Sequence, residues 1–359
     1  MRVSAPQETL PGSPARGGAA CGRPLPDLPC PTVLVWLWGA DHAMGRAEVE
    51  ALAGTPFIAL DRGLIAGSCP DHQVLRRLGY ARSALRCLGR SDGPIPPFDP
   101  INVITGSFAV RAHRLATAGN GPSGWSVAAD IGAGLWRRLP CPRVDLRQPE
   151  VEIHVFITDR GYWWGQLLFT IDGAAFDARR PRRRPFWRSI AMAPRKARCL
   201  VNLSGVRAGG ALLDPFCGTG SIPIEAALLG VRTSASDVDP VVVAGAARNF
   251  AALGLADGVD LRHLDARAWG ELPHRFDAIV TDLPYGHSAS IKGVDRDALY
   301  RAFLDVAASI LVLGGRAVLM LPAGALPPSP ADLTLEASFL EFVHGSLTRQ
   351  VVVLQKGGR

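Results

Sequence analysis

ALLDPFCGTGSIPIEAALLG, residues 211–230, decides the fold. A short apolar run, ALLDPF (211–216), carries Asp214 near its end and passes through Cys217, Gly218 and Gly220. It then enters SIPIEAALLG (221–230), which reads as a helix. A strand that turns through glycines directly into a helix brings backbone and unpaired helix amides close to whatever sits beyond the strand. The loop is neither the dinucleotide GxGxxG pattern nor a Walker loop, since the Lys is missing.

Downstream, strand and helix patterns alternate. RTSASDV (232–238), VDLRHLDA (259–266), FDAIVTD (276–282) and GRAVLMLP (315–322) read as further strands, and 239–254 and 295–314 as helices. FLEFVHGS and LTRQVVVLQK read as a closing pair of strands. The expectation is an α/β fold with a doubly wound, mainly parallel Rossmann-like sheet and helices on both faces. In such sheets ligands sit beyond the carboxyl ends of the strands, so the residues ending each strand carry the chemistry. Asp237, with Asp239 two residues on, suits the two hydroxyls of a ribose, and Asp265–Ala266 suits an adenine edge.

The fourth strand ends in TDLPYG (281–286). An exocyclic amine on a nucleobase is a poor nucleophile, because its lone pair is delocalised into the ring. Asp282 can accept one N–H and the backbone carbonyl of Leu283 another, favouring a pyramidal nitrogen. Pro284 restricts the turn, Tyr285 offers a ring for an extruded base, and Gly286 lets the chain leave. Positioning would supply most of the rate, with Asp282 also able to take the released proton.

The chain of 359 residues is 48% hydrophobic, enough for sizeable cores and against a disordered protein. Its net charge is +7, and RRPRRRPFWR (179–188) alone holds six arginines, which points to a polyanionic partner. Seven scattered cysteines and eight histidines without ligand spacing suggest reduced core thiols, a cytoplasmic protein and no bound metal. Residues 1–30, rich in Pro, Gly and Ala, read as a flexible extension without a secretory signal. The apolar stretch 307–326 is split by Gly314-Gly315-Arg316 and stopped by Pro322, so a helix end, a turn and a buried strand explain it better than a membrane span.

Ahead of the Arg-rich linker (176–190) lie two units. The first, 31–95, is a mixed α/β subdomain of ferredoxin-like character, with a strand at TVLVWLWG (32–39) and a helix near GRAEVEALAG (45–54). HQVLRRLGYARSALRCLG (72–89) reads as a second helix and a further element. The second, 96–175, follows the Pro-rich break at 93–100. It alternates at SFAVRAHR (107–114) and VEIHVFI (151–157), with a helix over 127–139 and YWWGQLLF as a return strand. The FAVRAHR strand, the IGAGLW helix and VDLRQPEVEIHVFI resemble a THUMP domain, an RNA-binding module of tRNA-modifying enzymes.

Residues 191–359 look like an S-adenosylmethionine-dependent methyltransferase domain. That resemblance implies that Asp214, Cys217, Gly218 and Gly220 surround the methionine part of the cofactor, Asp237 holds the ribose, and Asp265 with Ala266 holds the adenine. TDLPYG resembles the D/N-P-P-Y signature of amino-methyltransferases, with Leu283 in place of the usual Pro. The ordered set RPFWRSIAMAPRKARCLVNLSG, LLDPFCGTGSIPIEAALLG, SASDVDP, DAR, TDLPYG and HGSLTR resembles the THUMP-containing tRNA guanosine-N2 methyltransferases acting at position 10. The resemblance implies tRNA as partner, and it allows a small activating subunit, which some relatives use. Arg111, Arg182, Arg183, Arg184, Arg195 and Arg198 are the candidate RNA-binding residues. Methylation of guanosine at position 6, methylation of an adenine N6, and a catalytically silent tRNA-binding protein stand as alternatives.

Overall fold

The computed structural model describes residues 32–115, 123–285, 295–345 and 347–358. The expected extension 1–30 and Gly286 lie outside them. The amino-terminal half forms β1 (Thr32–Leu37), α1 (His42–Ala53), β2 (Phe57–Asp61), β3 (Leu64–Ser68), β4 (Ala81–Ser91), α2 (Pro100–Val103), β5 (Ser107–Arg114), α3 (Gly124–Arg138), β6 (Arg143–Val144), β7 (Val151–Thr158), β8 (Gly161–Thr170) and α4 (Gly173–Ala178). Its strands make one eight-stranded sheet in the order β2-β3-β1-β4-β8-β7-β5-β6. Antiparallel pairing of β4 with β8, from Ser83–Thr170 to Ser91–Tyr162, joins the stretches read as separate units into that sheet. The expected boundary near residue 95 therefore falls in a loop and does not divide the sheet. The stretch 72–89 contains only a 3-10 turn, His72–Arg77, followed by β4. The chain turns sharply at Gly79, where any Cβ would stand 2.4 Å from the Arg195 carbonyl oxygen.

The carboxyl-terminal half comprises α5 (Pro194–Leu203), β9 (Ala211–Asp214), α6 (Ser221–Ala227), β10 (Arg232–Asp237), α7 (Pro240–Ala252), β11 (Val259–His263), β12 (Phe276–Asp282), α8 (Arg296–Ile310), β13 (Leu311–Pro322), β14 (Leu333–His344) and β15 (Leu347–Lys356). The seven-stranded sheet runs β11-β10-β9-β12-β13-β15-β14. β9 to β13 are parallel, and β15 lies antiparallel between β13 and β14. The order reverses between β9 and β12, which makes their carboxyl ends the switch point where a doubly wound sheet opens a ligand crevice.

Period-two alternation explains why both faces are covered. Leu213, Ile279, Ala317, Leu319 and Leu321 point to a core shared with Tyr300, Phe303 and Leu304 of α8. Leu212, Ala278, Val280, Val318 and Met320 point to the opposite core, shared with Leu200 of α5 and Ile222 of α6. Helix α8 ends at Ile310 and β13 starts at once, so the apolar stretch 307–326 is helix end plus buried strand. Among the described residues no helix is long and apolar enough to cross a membrane.

The two sheets meet through α1 and α5. Met44 and Tyr80 of the first half join the core beneath α5. At the centre of the junction lies Glu48, wholly buried, which accepts the amides of Gly79 at 2.7 Å and Tyr80 at 2.9 Å and the Asn202 side-chain amide at 2.6 Å. Asn202 accepts from Arg77 Nε at 2.9 Å and donates to the Arg77 carbonyl at 2.9 Å, and Arg77 reaches the Val206 carbonyl at 2.8 Å. Removing one member of a buried network strands its partners. Asn202→Ala should lower the unfolding free energy by about 1–3 kcal/mol, measured by chemical denaturation.

Candidate active site

At the end of β9, Asp214 is buried beneath the glycine loop. It accepts from the Thr281 hydroxyl at 2.6 Å and the Phe216 amide at 3.3 Å. Cys217, also buried, donates its amide to the Ser236 carbonyl at 2.9 Å, and Gly218 donates its amide to Asp237 Oδ2 at 3.1 Å. Gly220 caps α6 at φ 83°, and a Cβ there would lie 2.5 Å from the Phe250 ring, so the site demands glycine. The loop thus links the ends of β9 and β10 into one wall. Asp237 holds this wall through both oxygens, taking the Asp239 amide at 3.0 Å on the other side.

β11 stops at His263, short of the expected 259–266, and Asp265 stands two residues on, at the start of a 3-10 turn (Ala266–Glu271) whose first residue, Ala266, is buried. The Asp265 carboxylate caps the 3-10 turn through the Arg267 amide at 2.9 Å and is gripped by the Arg267 guanidinium at 3.0 and 2.7 Å. Those bonds hold the carboxyl below its ordinary range.

Asp282 closes β12 opposite Met320 of β13. Although 24% of its side chain meets solvent, Oδ1 is fully covered and has no hydrogen-bond partner. Oδ2 lies 3.8 Å from Arg349 Nη1. The turn beyond is fixed from two directions. The Leu283 amide donates to the Met320 carbonyl at 2.8 Å, and the Tyr300 hydroxyl of α8 donates to the Pro284 carbonyl at 2.8 Å. The Leu283 side chain is buried in the core under α8, which gives a leucine its place at this position. Tyr285 is half-buried, with the Arg349 guanidinium 5.4 Å from its ring centroid.

Burial pushes the Asp282 carboxyl up to about 7; Arg349 and Lys196 oppose this and Glu341 adds to it. Burial raises Asp214 to about 8, with the charges of Asp237 and Asp282 adding to the rise. Asp237 is raised as well, again chiefly by burial. Three carboxylates that resist ionisation within electrostatic reach of one another fit a ligand that brings positive charge.

The candidate arginines divide. Arg182 and Arg183 lie exposed, with Arg182 5.5 Å from the Trp187 ring centroid. Arg184 is instead buried and donates to the Ser221 hydroxyl at 2.9 Å and the Arg179 carbonyl at 2.9 Å. Arg198 is buried against Glu225 at 2.7 Å, a carboxylate also held by Arg179 at 2.9 and 3.1 Å. Arg195 donates to the Gly79 carbonyl at 2.8 Å between the rings of Trp38 and Phe176. Arg111 bridges Glu152 at 3.3 Å and the Leu146 carbonyl at 2.6 Å. Arg184, Arg195 and Arg198 therefore face inward: Arg198 pairs with the fully buried Glu225, Arg195 donates to the Gly79 carbonyl, and Arg184 to the Arg179 carbonyl and the Ser221 hydroxyl.

The model of the RMKL-like methyltransferase domain matches residues 181–350. The tRNA (guanine(10)-N2)-dimethyltransferase of Methanothermobacter thermautotrophicus is 38% identical over 289 residues, 78% of this chain and 84% of that protein. The chain belongs to the tRNA guanine-N2 methyltransferase family. The enzyme of the same description from Pyrococcus abyssi is 33% identical over 87% of this chain and 96% of its own length. In fold the chain is similar to the crystal structure of TrmN from Thermus thermophilus, with a TM-score of 0.51 at 23% identity, covering 90% of this chain and 99% of that one. The expected class I methyltransferase sheet is thus present.

Sequence reading did not single out Arg349, Glu341 or the role of Lys196 beside Asp282. Lys196 stands in PRKAR and Arg349 in HGSLTR, both quoted above, but only the pairing of β14 with β15, which sets Glu341 opposite Arg349, brings them to one place.

The raised carboxyls carry a pH signature. A carboxyl raised in the folded state favours folding fully below its unfolded value of roughly 4 and loses that contribution as pH climbs through its folded value. Asp214→Asn should therefore melt above wild type at pH 9, with the gain vanishing near pH 4. The same substitution should weaken binding of a cationic ligand; thermal melts across pH and equilibrium titration check both.

Proposed function

We propose that this protein transfers methyl groups from S-adenosylmethionine to the exocyclic N2 of guanosine at position 10 of tRNA, as a cytoplasmic enzyme. The observation that carries the reading is Asp282 Oδ1, a covered acceptor without a partner at the end of β12, beside the glycine wall. The relatives named above are described as guanine(10)-N2 dimethyltransferases, which supports position 10 and the replacement of both amine hydrogens in turn.

Asp214, Cys217, Gly218 and Gly220 would surround the methionine part, Asp237 the ribose, and Asp265 with Ala266 the adenine. The cofactor supplies an electrophilic methyl on a positively charged sulfur, and that charge is what the acidic wall lacks. Asp282 accepts an N–H of the guanine amine, directing the nitrogen lone pair away from the ring. The Leu283 carbonyl takes the other N–H, and Pro284, tied to Tyr300, keeps that carbonyl in place. Forming the N–C bond at the expense of the C–S bond would leave the sulfur neutral and the guanine nitrogen positive. Asp282 then receives the N–H proton. Tyr285 stacks on the extruded base, whose unstacking costs a few kcal/mol.

The 96–175 region would act as a THUMP-type grip on tRNA, with exposed Arg182 and Arg183 on phosphate. Charge-removing substitution of both arginines should weaken tRNA binding and flatten its salt dependence by about one unit of logarithmic slope per lost contact. An unchanged slope would rule the contact out.

A methyl-transfer assay on unmodified transcripts tests the whole reading. Wild type should methylate the guanosine-10 transcript twice by mass. Asp282→Ala should lose at least about 100-fold in rate, and a transcript with adenosine at position 10 should stay unmodified. Methylation that survives the adenosine replacement would move the target to another base, such as guanosine 6. For the free enzyme, kcat/KM should rise with pH up to about 7 and level off as Asp282 ionises. With cofactor saturating, the limb should move to lower pH, because a nearby positive charge favours the carboxylate.

A further inference from the structure

Three buried side-chain atoms without hydrogen-bond partners belong to the group of residues at the end of β12: Asp282 Oδ1, Glu341 Oε2 and Arg349 Nε. Buried polar atoms in folded proteins are nearly always paired, so three unpaired ones in one group are free to bond a ligand that reaches them. Each of the three is anchored by its other atoms. Asp282 Oδ2 faces Arg349 Nη1 at 3.8 Å. Arg349 also touches Met320 Sδ at 3.9 Å and overlies Tyr285. Glu341 sits opposite Arg349 in the β14–β15 register, with Oε1 held by Lys196. Its charge acts on both Asp282 and Tyr285, which places it within electrostatic reach of the proposed base pocket.

Two free acceptors and one free donor match a particular molecular edge. Guanine presents hydrogens on N2 and N1 and an acceptor at O6. Adenine has no 2-amino group, an acceptor at N1 and a donor at N6. A carboxylate facing N1 attracts guanine and repels adenine.

We propose that Glu341 selects guanine: its free Oε2 accepts the N1–H of the extruded base, beside Asp282 on the N2 amine and Arg349 Nε on O6. This assignment rests on the guanine-N2 reading above. It separates two tasks, since Asp282 positions the reacting nitrogen while Glu341, on the edge hairpin, reads the ring. A site built to hydrogen-bond a group rejects an analogue lacking that group far more strongly than a site that senses only shape.

The test uses tRNA assembled with either guanosine or 2,6-diaminopurine riboside at position 10. Diaminopurine keeps the 2-amino group but exchanges N1–H for a lone pair and O6 for an amine. Wild type should prefer guanosine by about 1,000-fold or more in kcat/KM. Glu341→Gln, whose amide can donate to a ring nitrogen, should lose about 10- to 100-fold on guanosine and narrow the preference at least about tenfold. Lys196→Met removes the same ion pair but keeps the carboxylate, so its preference should stay at the wild-type value. An unchanged preference in Glu341→Gln, or equal narrowing in Lys196→Met, would overturn the assignment and leave Glu341 a structural partner of Lys196. If Glu341→Gln does not fold, Glu341→Asp, which withdraws the charge by one methylene, must narrow the preference for the assignment to stand. Absence of methylation on guanosine by cofactor-bound wild type would overturn the guanine-N2 reading itself, and this assignment with it.

Discussion

The geometry of the molecule hangs on one buried carboxylate. Glu48 ties the amides of Gly79 and Tyr80 to Asn202 of α5, so the turn that opens β4 and the helix that precedes the catalytic sheet share one set of hydrogen bonds. Burial raises the Glu48 carboxyl, while the three hydrogen bonds and Arg198 hold it down, a balance that survives only while each partner stays in place. Arg77, Arg195 and Arg198 pack around the same point. The two halves are fixed by polar bonds of definite direction as well as by apolar contact, and directional bonds determine an angle where apolar contact alone leaves it loose.

That angle matters because α5 serves both sides. Its Arg198 reaches Glu225 of α6, the helix launched by the glycine loop, and its Lys196 reaches Glu341 beside Asp282. A single ten-residue helix therefore touches the junction, α6 behind the glycine loop, and Glu341 near Asp282. The linker arginines fit the same scheme. Arg179 and Arg184 brace α6 from outside, through Glu225 and Ser221, and leave Arg182 and Arg183 facing solvent.

The catalytic sheet was legible because β9, β12 and β13 are buried on both faces and read as apolar runs, and because acids stand at or just beyond the ends of β9 to β12. Asp214, Asp237, Asp265 and Asp282 all stand at or beside the carboxyl ends of their strands. The 3-10 turn and strand within 72–89 were not legible as such, since the turn at Gly79 is imposed by the close approach of α5, distant in sequence. Nor does an arginine run reveal which members turn inward. That depends on contacts such as Arg179 with Glu225, 46 residues on, and no local pattern encodes them. The grouping of Glu341, Arg349 and Lys196 escaped for the same reason: it exists only once β14 has paired with β15 and both have docked beside β13.

The antiparallel β14–β15 pair is appended to an otherwise parallel sheet. Only β14 is marginal, with Leu335, Leu340 and Phe342 exposed, whereas Val351 to Leu354 of β15 are packed from both faces as β9 and β12 are. Were Glu341 to read the base as proposed, substitutions on β14 would alter base preference at little cost to the packing that holds Asp214 and Asp282.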